Sequence, residues 1–236
     1  HLLQRYGNTI SNIKNDGFEI YSTCDISLEG ASVSTMTKSI GFAIIEFTNV
    51  LNNLKPDVLI VMGDRYEAMA AAIAGASLNI CVAHIQGGEV TGSIDESFRH
   101  AITKLSHIHF PSTELSKENI LRLGENPNYV FNVGCPSIDI ISKTNILNKK
   151  ELLSLAELQR DQYSFDAKKD YILAFYHPVT NSWENSYEHM KTFLNALKKL
   201  DIQTIFLYPN SDAGSDEIIR SIRHFYIEND VQNIEF

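Results

Sequence analysis

Strand-like apolar runs alternate with helix-like ones along the whole of this chain, and few architectures accept that pattern. The spacing predicts strands over residues 18–21, 58–62, 80–84, 108–111, 129–133, 171–175, 204–208 and 234–236. Several of these are continuous apolar runs without alternation, as expected for parallel strands covered on both faces. Helix patterns fall between them, over 35–54, 66–77, 96–105, 112–123, 137–142, 188–200 and 216–228. The second is alanine-rich, and small side chains let a helix lie close on a sheet. Such βαβ alternation implies an α/β fold with doubly wound parallel sheets. A polar, Lys-rich stretch interrupts it and includes a helix-compatible segment over 149–160. The expected organisation is therefore one unit over residues 1–145, a joint over 146–169 and a second unit over 170–236.

The chain has 236 residues, 44% hydrophobic and 21% charged, with a net charge of -9. That charge argues against a nucleic-acid or anionic-membrane surface. No run of 18 apolar residues occurs, so no membrane span is expected. Cys24, Cys81 and Cys135 are far apart and odd in number, which reads as reduced thiols in a cytoplasmic protein. The chain starts at His1 and ends in a strand-like run at Phe236. It is read as a piece truncated at both ends.

The chemistry concentrates after the second and third strands. Gly63-Asp64-Arg65 follows residues 58–62, which puts Asp64 at the carboxyl end of a parallel strand, where open α/β sheets bind ligands. Helix capping by Asp64 would account for that carboxylate but not for a buried-side Arg65 next to it. His84-Ile85-Gln86-Gly87-Gly88-Glu89 follows the next strand in the same way. Its two glycines let backbone approach a substrate, and Glu89 is expected near Asp64 because adjacent parallel strands end together. Two carboxylates in one cleft suit an acid and a base. Ser93-Ile94-Asp95-Glu96 fits a capping box, with Arg99 and His100 pointing back toward Asp95 or Glu96. His107 and His109 alternate on a strand, but no third ligand has metal-site spacing.

In the second unit, Pro178 breaks a strand and presents His177 at its end. Asn210 and Ser211 lie between the next strand and a helix N-terminus, a phosphate or ribose site by geometry. Carboxylates in one unit and His177 and Asn210 in the other suggest a substrate held between two domains. A phosphate loop of the Walker type, a Gly-x-Gly-x-x-Gly fingerprint and a Gly-x-Ser-x-Gly elbow are all absent. Dinucleotide redox chemistry and serine hydrolysis lose support accordingly.

Taken in order, the runs 61–67, 84–89, 92–107, 134–137, 177–180 and 209–210 resemble the hydrolysing UDP-N-acetylglucosamine 2-epimerases of sialic acid biosynthesis. The resemblance implies the glycosyltransferase-B architecture of two Rossmann-like domains. It also implies a cytoplasmic homo-oligomer, dimer or tetramer, that takes a UDP-sugar and needs no metal and no cofactor. The implied reaction eliminates UDP across C1–C2 of the sugar to a glycal, then adds water to give N-acetylmannosamine. By resemblance, Asp64, Glu89 and Asp95 take acid/base and glycal-handling roles together with His177. Arg65, His177, Asn210 and Ser211 take the diphosphate and nucleoside. One departure stands out: Gln86 occupies the place where non-hydrolysing relatives carry a catalytic Glu, and a neutral amide cannot accept that proton. Two other readings remain open. One is a 2-epimerase acting on UDP-N,N'-diacetylbacillosamine for legionaminic acid synthesis, and the other is a non-catalytic nucleotide-sugar-binding protein.

Overall fold

The computed structural model describes residues 1–4, 7–28, 30, 32–148, 150, 151, 154, 166, 169–209, 212–229 and 233–235. The chain separates into two compact units, His1–Ser142 and Lys143–Phe236. Most of the expected joint over 146–169, including most of the helix-compatible 149–160, lies outside the described residues.

The first unit begins with a short helix, α1 (Ile10–Asn15), and a long one, α2 (Val33–Leu54). Ser32 starts α2 with a reciprocal cap: its hydroxyl accepts the Thr35 N–H while the Thr35 hydroxyl accepts the Ser32 N–H. Then come β1 (Val58–Met62), α3 (Tyr66–Ser77), β2 (Cys81–Ile85), α4 (Ile94–Leu105), β3 (Ile108–Phe110), α5 (Glu114–Arg122) and α6 (Pro136–Lys143). The three strands form a parallel sheet in the order β1-β2-β3, with Val61 opposite His84 and His84 opposite His109. The alanines of α3 do what their size allows. Ala70, Ala72, Ala74 and Gly75 are buried, and a Cβ on Gly75 would stand 2.6 Å from Leu59 Cδ2. The core gathers Val61, Ala72, Val82 and Ile102 around the sheet. Burial of the Ile102 side chain alone contributes about 2 kcal/mol.

The second unit contains β4 (Tyr171–Phe175), α7 (Ser186–Leu200), β5 (Gln203–Leu207), α8 (Ser215–Glu228) and β6 (Ile234–Glu235). Its sheet is also parallel, in the order β4-β5-β6. Its core packs Met190 and Leu194 of α7 and Ile218, Ile222 and Phe225 of α8 against Ala174 and Phe206.

Two expected strands are not regular strands. Residues 18–21 form no β-pairing among the described residues, and Phe18 and Tyr21 are exposed. Residues 129–133 run beside β3 but make a single bridge, His109 with Val130. Phe131 and Val133 donate to the carbonyls of His109 and Pro111. The return bond would need an N–H at 111, which proline lacks. The same Pro111 ends β3 one residue before the expected limit.

Candidate active site

The carboxyl ends of β1 and β2 carry the cluster. Gly63 extends the ladder by one bond, N–H to the Ile85 carbonyl at 3.0 Å, and its left-handed φ of 73° then turns the chain out to Asp64. Arg65 is the N-cap of α3 and makes no side-chain cap, and Asp64 does not cap that helix either. Instead, Arg99 Nη2 donates to Asp64 Oδ2 in a short ion pair. Arg99 lies on the inner face of α4 with Ile102 and Thr103 and is only 4% exposed.

After β2 the backbone is tightly constrained. Gln86 has a φ of 63°, a left-handed conformation that costs a non-glycine residue about 1 kcal/mol or more. Its N–H is held by the Phe110 carbonyl at 3.0 Å. Gly87 leaves no room for a side chain, since a Cβ would meet His84 Nδ1 at 2.9 Å and Thr103 Oγ1 at 3.0 Å. Gly88, at a φ of 80°, presses on α5, where a Cβ would stand 2.1 Å from the Ser116 carbonyl oxygen. Asn119 Nδ2 donates to the Gly88 carbonyl at 2.9 Å, and Arg99 Nη1 donates to the Glu89 carbonyl at 2.7 Å. The segment that presents Glu89 is thus anchored on both sides.

Beneath it lies His84, fully buried. Its Nε2–H donates to the Gly63 carbonyl at 2.8 Å, and its Nδ1 lies 3.2 Å from Thr103 Oγ1. That hydroxyl is also 3.0 Å from the Arg99 carbonyl, so its one proton serves one acceptor at a time. Burial, opposed by the bond to Gly63, pushes the His84 imidazole down to about 4, so it is neutral at pH 7. It braces the turn at Gly63 without titrating near neutrality.

The start of α4 differs from a capping box. Ser93 makes no side-chain cap, and its Oγ donates to Asp95 Oδ2 at 2.9 Å. Glu96 Oε2 accepts the N–H groups of Thr91 at 2.7 Å and Gly92 at 2.6 Å, two and one residues ahead of the cap. The Gly92 bond, with that of Thr91, holds the Glu96 carboxyl below its usual value. His100 does point back to Glu96, at 3.7 Å, whereas Arg99 turns inward to Asp64. Arg65 is not on a buried side: its side chain is 41% exposed and pairs with Glu67 at 3.2 Å.

Cys135 precedes α6 and takes hydrogen bonds from the Ser137 and Ile138 N–H groups, which lower its pKa. Gln86 Nε2 donates to the same sulfur at 3.5 Å. Among the described residues Cys24, Cys81 and Cys135 are all free, and no group of three His, Cys, Asp or Glu residues could hold a metal ion. No helix among them is long and apolar enough to cross a membrane.

Of the expected site residues, Asp64, Glu89 and Asp95 lie in the first unit on the turns after β1 and β2 and at the start of α4. Arg99 ties the Asp64 carboxylate to the Glu89 backbone. His177 is in the second unit, exposed, two residues past β4, with its ring 5.8 Å from that of Phe175. Asn210 and Ser211 lie outside the described residues. Sequence reasoning missed the part played by Arg99, although a signal for it existed. Arg99 stands three and four residues before Ile102 and Thr103, on the helix face that must be buried.

The family model described as UDP-N-acetylglucosamine 2-epimerase matches residues 1–235. A Legionella pneumophila protein named UDP-N,N'-diacetylbacillosamine 2-epimerase (hydrolyzing) is 40% identical over 228 residues, covering 97% of this chain and 58% of its own length. Polysialic acid biosynthesis protein P7 of Escherichia coli is 36% identical over 228 residues, covering 95% of this chain and 56% of its own. This chain therefore spans little more than half the length of these relatives. The Methanocaldococcus jannaschii UDP-GlcNAc 2-epimerase, solved with UDP-GlcNAc and UDP, aligns over 100% of this chain and 63% of its own at a TM-score of 0.71 and 20% identity. That likeness bears out the α/β fold of glycosyltransferase-B type. With nearly the whole chain matched by one family model, the protein belongs to the UDP-N-acetylglucosamine 2-epimerase family.

Proposed function

We propose that the complete protein is a hydrolysing UDP-sugar 2-epimerase whose substrate is UDP-N,N'-diacetylbacillosamine. The observation that carries the reaction class is the Asp64–Arg99–Glu89 cluster at the strand ends of a chain matched by the family over residues 1–235. The diacetamido sugar is favoured because the relative named for it is 40% identical, against 36% for the one named for polysialic acid biosynthesis. The family model described as UDP-N-acetylglucosamine 2-epimerase keeps that sugar nucleotide, the substrate expected from the sequence motifs, as the alternative.

In this reading a carboxylate of the first unit takes the weakly acidic C2 proton, and the C1–O electron pair leaves with UDP, giving a glycal. Water then adds across the double bond: hydroxide ends on C1 and a proton returns to C2 on the opposite face. Asp64, Glu89 and Asp95 are the groups that move these protons. Arg65, His177, Asn210 and Ser211 are assigned to the nucleotide, where hydrogen-bonding and cationic groups stabilise the departing diphosphate. The chemistry needs neither hydride transfer nor a resident metal ion.

The test is incubation of the complete protein with each UDP-sugar in deuterium oxide, reading UDP release and deuterium at C2 of the product. Release of UDP from the diacetamido sugar, with deuterium incorporated, is expected. Release from UDP-N-acetylglucosamine alone would move the assignment to the alternative. Release from neither would refute the reaction class.

A further inference from the structure

Two strand-end turns and a helix meet at one guanidinium. Asp64 follows β1, Glu89 follows β2, and Arg99 comes from α4. Through Nη2 the arginine reaches the Asp64 carboxylate; through Nη1 it reaches the Glu89 carbonyl at 2.7 Å and Thr91 Oγ1 at 3.5 Å. A charge buried to 4% exposure is weak evidence for stability, because desolvation offsets much of the attraction. The inner face of α4 already has Ile102 to bury, so packing gives no reason for a cation there. The planar fork does give one. It sets a side-chain carboxylate and a neighbouring backbone segment at one mutual distance and angle, which a single ammonium on a flexible stem cannot do.

We propose that Arg99 is the positioning residue of the reaction: it fixes the Asp64 carboxylate relative to the segment that presents Glu89. This rests on the epimerase reading above. Arg99 occupies only Oδ2 of Asp64 among the described residues, so the second oxygen keeps its lone pairs for a proton. Its action on the chemistry passes through Asp64. Loss of the fork should therefore lower turnover and leave substrate affinity nearly unchanged.

The experiment uses the complete protein and reads UDP release from the UDP-sugar it turns over, with Arg99→Lys made alone and in an Asp64→Asn background. Arg99→Lys is expected to lower kcat about 30-fold or more, the scale of a misplaced reacting group, with KM within about 3-fold. In the Asp64→Asn background the same substitution should cost less than about 3-fold, because the carboxylate it positions is already disabled. A merely structural arginine would cost the same factor in both backgrounds, and that result overturns the proposal. So does an Arg99→Lys enzyme with wild-type kcat. Near-ultraviolet circular dichroism and Tm establish folding, and Arg99→Gln replaces the lysine variant if that one is insoluble. If neither variant folds, Arg99 is a requirement of the fold and the positioning role is overturned. An unsubstituted protein that releases UDP from no UDP-sugar removes the reaction class as well, whereas normal activity in both wild type and Arg99→Lys removes only the role of Arg99.

Discussion

Asp64 stands where a parallel strand runs out, its carboxylate joined to a buried guanidinium and freed from any capping duty. A side chain so placed is held in geometry without being consumed by the fold. Asp64→Asn keeps the size and the Arg99 contact but removes the basic oxygen. In the complete protein it should lower kcat for UDP release by at least about 100-fold, the scale of lost acid-base catalysis. Glu89→Gln should do the same, because the anchors of its segment, Arg99 on the Glu89 carbonyl and Asn119 on the Gly88 carbonyl, do not involve the carboxylate that is changed. A wild-type rate in either variant would remove that residue from the proton path. Gln86→Ala should cost under about 10-fold, well below the factor for a missing acid or base. The amide cannot take a proton, and among the described residues its hydrogen-bond partner is the Cys135 sulfur. Asp64, Glu89 and Gln86 are legible in the sequence because strand ends and glycine pairs mark where a side chain can meet a ligand. Arg99 was harder to place. Its charge pointed to the nearby Asp95 and Glu96, while the face of α4 on which it lies decided for Asp64.

The turn between β2 and α4 is an element in its own right, and its contacts make it rigid. Gly88 combines a φ of 80° with a Ser116 carbonyl 2.1 Å from any added Cβ. That oxygen belongs to backbone inside α5 and cannot swing away as the end of a side chain could. Gly88→Ala should therefore destabilise the protein by about 3 kcal/mol, from left-handed strain plus overpacking. Gly92, at a φ of 76° with open space around it, is the control: Gly92→Ala should cost only about 1 kcal/mol. Urea unfolding midpoints compare the two, and equal shifts would show that the α5 contact is not tight. Apolar runs read as parallel strands gave β1 and β4 to the residue. The same rule misassigned 18–21, since an apolar stretch becomes a strand only where a partner supplies hydrogen bonds. It half-failed at 129–133, where Pro111 withholds one donor. Hydrophobic pattern reports burial, whereas pairing depends on the donors of the neighbouring strand.

At the scale of the molecule, each sheet is parallel, yet the edge strands present apolar side chains to solvent: Ile60 and Met62 on β1, Leu173 and Phe175 on β4. In the first unit the packed face of the sheet contains two histidines side by side, His84 and His109. Burial lowers both, His109 even against Glu125 at 3.3 Å. A depressed histidine is neutral in the fold but binds a proton once unfolded, so stability rises with pH between the folded and unfolded values. For His84 that window runs from about 4 to 6.5. The full shift is worth about 3 kcal/mol, of which about 2 kcal/mol is lost between pH 7 and pH 5. His109 adds to the loss in the same direction. Most carboxylates remain ionised above pH 5, so the upper part of the window isolates the imidazoles. Unfolding of the first unit, followed in urea at pH 7 and pH 5, should therefore shift to lower denaturant by at least the His84 contribution. Equal midpoints would mean that His84 accepts a proton in the folded state, and with it that the turn at Gly63 is not braced by a neutral ring.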